Sequence, residues 1–230
     1  MGKSECAAPA LQLPDQPGTI DLTAVEHHLP IVESTIPAAV PPADRVRCLS
    51  WRTEDDTRAF AAALAAALTA PPGCHSLGVE LHGELGAGKT TLVRHLLQAM
   101  GVEGRIKSPT YAVVEPYTVT LPSAVGPTRP EASPEVSPVD ATPGSPAAAW
   151  PVWHFDFYRF NDPAEWEDAG FRDIFASPGL KLVEWPEKAA GLLPPADLVL
   201  RIEVLDDTAR AVQLLAQTPL GATLLKGLPA

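Results

Sequence analysis

Cysteine is scarce in this chain: Cys6, Cys48 and Cys74 are the only ones, widely separated and without a C-x-x-C pair. That excludes a disulfide framework and a cysteine-based zinc site, and suits a reducing compartment. Basic charge is also short, with 17 Lys and Arg against 28 Asp and Glu, a formal charge of −11. A protein that grips nucleic acid by neutralising many phosphates has the opposite balance. Any contact with RNA is therefore expected to be indirect. The longest apolar run, Phe60 to Leu68, is mostly alanine and far below the ~20 residues that span a bilayer. Residues 1–20 show no basic start followed by an apolar core, so no secretory signal is read there. The expectation is a cytoplasmic protein with no membrane association.

What is present in excess is proline, 26 of 230 residues, about twice the usual ~5%. It is unevenly spread, with seven prolines in residues 1–43 and seven in residues 118–149. A hydrophobic content of 46% is too high for a wholly disordered chain. The reading is a flexible proline-rich extension over 1–43 and one folded domain over 44–230. The stretch 118–149 is then a flexible insertion between adjacent strands, because long surface insertions add little loop-closure entropy.

Within the domain, RVRCLSW (45–51) alternates as a strand, and Thr53 with Asp56 has capping-box spacing before a helix carrying Phe60, Leu64 and Leu68. LGVELHG (77–83) reads as a strand and KTTLVRHLLQAM (89–100) as a helix closed by Gly101. AVVEPY (112–117) and WHFDFYRF (153–160) read as strands, and Asn161, Asp162 and Pro163 start a short helix ending near Gly170. LKLVEW (180–185) suits a central strand, and DLVLRIEV with RAVQLLAQ suits a hairpin.

The sharpest signal lies between the 77–83 strand and the 89–100 helix. Gly83-Glu84-Leu85-Gly86-Ala87-Gly88-Lys89-Thr90 satisfies G-x-x-x-x-G-K-[ST] in the strand–turn–helix setting that motif requires. Glycines let the backbone curl with its amides inward around an anion, and the helix dipole points at the same spot. Lys89 offers a point charge for the β and γ phosphates, Thr90 a hydroxyl for Mg²⁺, and Thr91 a contact to an adjacent phosphate. A solvated lysine on a glycine-rich turn is the competing reading, and the structural context weighs against it. Glu84 would be costly beside phosphates, so its side chain is expected to face outward.

A triphosphatase also needs hard oxygen ligands near its metal. Glu184 ends a strand in the position of a Walker B acid, although aspartate is usual there, and Asp156 sits within an otherwise aromatic strand. An exposed carboxylate is the ordinary reading for either; the phosphate cradle upstream favours a role, more strongly for Glu184. In Lys107-Ser108-Pro109-Thr110-Tyr111, Pro109 holds Ser108 extended, and Thr110 is placed to present a hydroxyl to the γ-phosphate. His154, Trp153, Trp166 and Trp185 are read as packing residues, with Trp185 adjoining the nucleotide pocket.

The blocks GELGAGKTT, IKSPTYAVVEPY, HFDFYR and LVEWPEK, in this order, resemble the TsaE family, formerly YjeE, over about residues 45–220 without the insertion. The resemblance implies an α/β P-loop NTPase fold: a central, mostly parallel sheet flanked by helices, with a C-terminal strand pair. It also implies a small ATPase that binds TsaD and TsaB, the pair that places threonylcarbamoyl on adenosine 37 of tRNAs reading codons that begin with A, and resets that complex by hydrolysis. Carried onto this chain, Glu84, Leu85, Gly86, Ala87, Gly88, Lys89, Thr90 and Thr91 would hold ATP. Thr90 and Glu184 would support Mg²⁺, and Lys89, Asp156, Glu184 and Thr110 would complete the hydrolytic site, with the acid that positions water left open. The extension and the insertion depart from the family pattern. A small-molecule kinase is a second reading, weakened by scattered arginines such as Arg159 and Arg172; a nucleotide-sensing scaffold without hydrolysis is a third.

Overall fold

The computed structural model describes residues 42–70, 76–109, 112–121, 149–160 and 162–229. Residues 1–41, most of the 118–149 stretch, Thr110 and Tyr111 lie outside them.

Strand β1 (Val46–Trp51) leads into helix α1 (Glu54–Thr69) through the expected capping box. The Thr53 hydroxyl accepts the Asp56 N–H, and the Asp56 carboxylate accepts the Thr53 N–H at 3.0 Å. These backbone donors, Arg52 first, hold the Asp56 carboxyl below its ordinary value. Strand β2 (Ser76–His82) and helix α2 (Lys89–Ala99) follow, and Gly101 takes the left-handed conformation at the helix end, φ 87°.

The next strand pair runs further toward the insertion than the sequence pattern indicates: β3 spans Val114–Thr120 and β4 spans Ala149–Asp156, paired antiparallel with Val114 opposite Phe155. Strand β4 also stops sooner than the aromatic run 153–160. The Asp156 carboxylate accepts the Tyr158 N–H at 3.1 Å and turns the chain out of the sheet. Helix α3 (Pro163–Asp168), capped by Asp162, stops two residues before Gly170, near the expected end. The remainder is α4 (Phe171–Ala176), β5 (Gly179–Glu184), β6 (Leu198–Val204), β7 (Arg210–Ala216) and α5 (Pro219–Gly227).

The strands form one sheet in the order β1-β7-β6-β2-β5-β4-β3. Its four central strands β6, β2, β5 and β4 are parallel, and β1, β7 and β3 are antiparallel to their neighbours. The hairpin of β6 and β7 is the expected C-terminal strand pair. Side chains alternate between two faces. Leu180 and Leu182 of β5, with Val152 of β4 and Leu77, Val79 and Leu81 of β2, join α1, α2 and α5 in the larger core. Phe155 and Val183 face the other way, into an aromatic cluster with Phe157, Trp166 and Phe171. The even-numbered positions of β4 and β5 thus look toward α2, and the carboxyl ends of β2, β5 and β4 meet side by side. In open α/β sheets ligands bind at that edge.

Candidate functional site

The turn leaving β2 is held by three glycines at positive φ: Gly83 at 148°, Gly86 at 82° and Gly88 at 104°. Gly83 also lies against the backbone of β6, where an added Cβ would stand 2.4 Å from the Ile202 carbonyl oxygen. Lys89, the first residue of α2, is buried, and its Nζ donates to the carbonyl oxygens of Gly83 at 2.6 Å and Glu84 at 2.9 Å. The same ammonium sits 3.9 Å above the Trp185 ring. Burial pushes the Lys89 pKa below its ordinary value, and Glu184, Glu187 and Asp156 pull against that shift. Glu84 faces solvent, as its charge requires, and Leu85 is 73% exposed at the lip of the turn.

Both acids read from the sequence arrive at this point. Asp156 and Glu184 are register partners on the parallel strands β4 and β5, and both are buried. The Thr90 hydroxyl donates to Glu184 Oε2 at 2.9 Å. The Ser108 hydroxyl donates to Asp156 Oδ2 at 2.7 Å, tying the 105–109 loop to the end of β4. The Phe157 N–H donates to the Glu184 carbonyl oxygen at 3.0 Å and keeps the two strand ends together as β4 turns away. Trp185 adopts a left-handed backbone, φ 57°, and its ring lies 4.9 Å from that of Tyr158.

His154 is fully buried, as a packing residue would be, but it also makes a polar contact: its Nε2 lies 2.8 Å from Glu184 Oε1. Strand parity is the signal for it, since His154 lies two residues before Asp156 on the same face of β4.

A cavity of about 380 Å³ opens on one side of the turn, lined by Leu85, Gly86, Lys89, Thr90, Asp156, Arg159, Glu184 and Trp185. A second, of about 400 Å³, opens on the other side, lined by Trp51, Arg52, Thr53, Thr57, Gly88, Asp207, Thr208 and Arg210. Gly86, Gly88 and Thr91 border both. The second cavity was not read from the sequence. Its walls come from three separated segments, and Arg210 Nε braces them by donating to the Ala87 carbonyl oxygen at 3.0 Å. Thr110 lies outside the described residues.

The donor set suits a phosphate chain with one divalent cation. Among the described residues there is no cluster of three or more His, Cys, Asp or Glu of the kind that cages a metal by itself. Mg²⁺ at phosphate sites needs only one or two carboxylates plus substrate oxygens, and Thr90 with Glu184 meets that requirement. Among the described residues no helix is long and apolar enough to cross a membrane.

Comparison with known proteins bears on the family and the fold. The family described as "Threonylcarbamoyl adenosine biosynthesis protein TsaE" matches residues 51–125 and 137–212. The chain is 40% identical, over 64% of its length and 75% of the relative's, to the tRNA threonylcarbamoyladenosine biosynthesis protein TsaE of Haemophilus influenzae. To the protein of the same name from Bacillus subtilis it is 28% identical, over 73% and 85% of the two chains. The crystal structure of Bacillus subtilis YdiB superposes with a TM-score of 0.50 at 23% identity, covering 79% of this chain and 93% of that one. That likeness bears on the fold alone, which is the α/β P-loop NTPase arrangement.

Proposed function

The chain belongs to the TsaE family, whose place is in tRNA threonylcarbamoyladenosine biosynthesis, and we propose that its task there is Mg²⁺-dependent hydrolysis of ATP. The observation that carries this reading is the triad of Lys89, Thr90 and Glu184 at the carboxyl edge of the parallel strands, with Thr90 bonded to Glu184 at 2.9 Å. In this reading the triphosphate lies along the turn from Gly86 to Thr91, with the nucleoside toward Trp51 and Arg210 and the γ-phosphate toward Glu184. The turn's amides and the α2 dipole face the phosphates. The Lys89 ammonium exchanges its two carbonyl partners for β and γ oxygens. Thr90 and Glu184 would hold Mg²⁺, which would supply charge neutralisation to the phosphate chain. Asp156, bonded to Ser108 of the 105–109 loop, is the carboxylate left to orient the attacking water. Phosphoryl transfer asks little covalent chemistry of the protein, so positioning and charge do most of the work.

The partners in this reading are TsaD and TsaB, with tRNA reached only through them. Hydrolysis resets their assembly between rounds of modification of adenosine 37. The acidic chain, with its formal charge of −11, fits a partner made of protein better than a direct grip on tRNA. The test is phosphate release from Mg·ATP with and without TsaD and TsaB. Partner-stimulated release with no phosphorylated acceptor supports the proposal. A phosphorylated small molecule would favour the kinase reading, and ATP bound without release would favour the sensing scaffold.

A further inference from the structure

Glu184 ends a strand in which every residue is buried, and a desolvated carboxylate needs a donor on each oxygen. Oε2 receives the Thr90 hydroxyl. Oε1 is met from the neighbouring strand by His154 Nε2 at 2.8 Å. The imidazole is 0% exposed and the glutamate side chain 2%, so water does not substitute for either partner. The other ring nitrogen of His154, Nδ1, is buried with no hydrogen-bond partner among the described residues. A carboxylate only accepts hydrogen bonds, so the contact requires the proton on Nε2, and the tautomer that supplies it leaves no buried N–H unpaired at Nδ1.

We propose that His154 is a positioning residue: it locks the Glu184 carboxylate in the rotation that keeps Oε2 against Thr90, and so sets the metal-binding geometry of the site. The proposal rests on the Mg·ATP reading above for its consequence, and on the His154–Glu184 contact for its mechanism. Partners that orient a metal-binding carboxylate in this way typically govern affinity by about 10- to 100-fold. Removing the donor leaves Oε1 buried and unpaired and the carboxylate free to turn away from Thr90.

The test uses the full-length chain and two variants of similar size. His154→Gln extends an amide N–H to about where Nε2 stood. His154→Asn places its N–H near the Nδ1 position, short of Glu184. Calorimetry of ATP binding in EDTA is expected to give the same affinity for wild type and both variants. The gain in affinity on adding Mg²⁺ should fall about 10- to 100-fold in the Asn variant and largely return in the Gln variant. Equal loss in both would assign His154 to packing alone, and no loss in either would remove the role; each overturns the proposal.

A second readout needs no nucleotide. In ligand-free protein, ¹⁵N-imidazole NMR should show His154 protonated at Nε2, with that signal displaced in Glu184→Ala. A bare Nε2, or a signal indifferent to Glu184→Ala, would also overturn the proposal. Should ATP fail to bind wild type while the signal is present, the nucleotide reading falls and the positioning contact stands.

Discussion

Asp156 and Glu184 face each other across parallel strands β4 and β5, yet each carboxylate is committed to a different hydroxyl. Glu184 takes Thr90 at the start of α2, and Asp156 takes Ser108 of the 105–109 loop. Two equivalent-looking acids are thereby given separate surroundings, one beside the first turn of α2 and one beside the 105–109 loop. Exchanging them for their amides should separate their effects. Glu184→Gln is expected to weaken Mg²⁺-dependent ATP binding about 10-fold or more. Asp156→Asn should leave binding near wild type and lower turnover about 100-fold. Calorimetry alongside phosphate release checks both, and identical defects in the two variants would contradict the division.

Among the described residues Lys89 has no carboxylate partner within hydrogen-bonding distance; it is parked on two carbonyl oxygens and the Trp185 ring. Lys89→Ala should therefore leave the fold intact and cut hydrolysis by about 100-fold or more. Circular dichroism and phosphate release on the same preparation decide it. A variant that turns over normally would remove the cradle from the mechanism.

The glycines of the turn differ in why they are glycine. Gly83→Ala should destabilise by about 2 to 4 kcal/mol, because its Cβ would run into the Ile202 carbonyl at 2.4 Å as well as demanding φ 148°. Gly86→Ala meets nothing within 4 Å and should cost only about 1 to 2 kcal/mol of left-handed strain. Urea unfolding of the two variants measures the contrast, and equal losses would contradict it.

Lys181 sits on the buried β5 among apolar neighbours, donating to Ser76 Oγ at 3.1 Å and to the Ser177 carbonyl oxygen. Burial lowers its pKa from the ordinary 10.5. A lysine depressed in the folded state binds fewer protons folded than unfolded, so its contribution to stability is complete above 10.5 and is lost as pH falls through the folded value. Wild type should therefore gain stability as pH rises toward 10.5, relative to Lys181→Met. Chemical unfolding of both proteins across that window checks the sign, and a matching slope in the variant would contradict it.

Much of this site was legible because the glycine-rich turn is local: eight consecutive residues, Gly83 to Thr90, carry the backbone, the charge and the hydroxyl together. Glu184 followed from its place at the end of an apolar strand. His154 was read as packing because its partner is 30 residues away, and only the pairing of β4 with β5 brings them together. The aromatic run at 153–160 concealed the end of β4, since hydrophobicity alone does not show that Asp156 caps a turn. Helices α4 and α5 escaped for different reasons. Six residues are too few to display a helical period, and Thr218 with Pro219, which form the cap and first turn of α5, were not read as a helix start. The cavity between Trp51 and Arg210 has no local signature, being assembled from a strand end, the turn and the β6–β7 connection.

The most direct test of the central claim is phosphate release from Mg·ATP by the full-length protein, measured alone and with TsaD and TsaB. Slow release alone, clear stimulation by the pair, and loss of both with Lys89→Ala are the expected results. Folded protein that neither binds nor hydrolyses Mg·ATP, with its partners present, would contradict the claim.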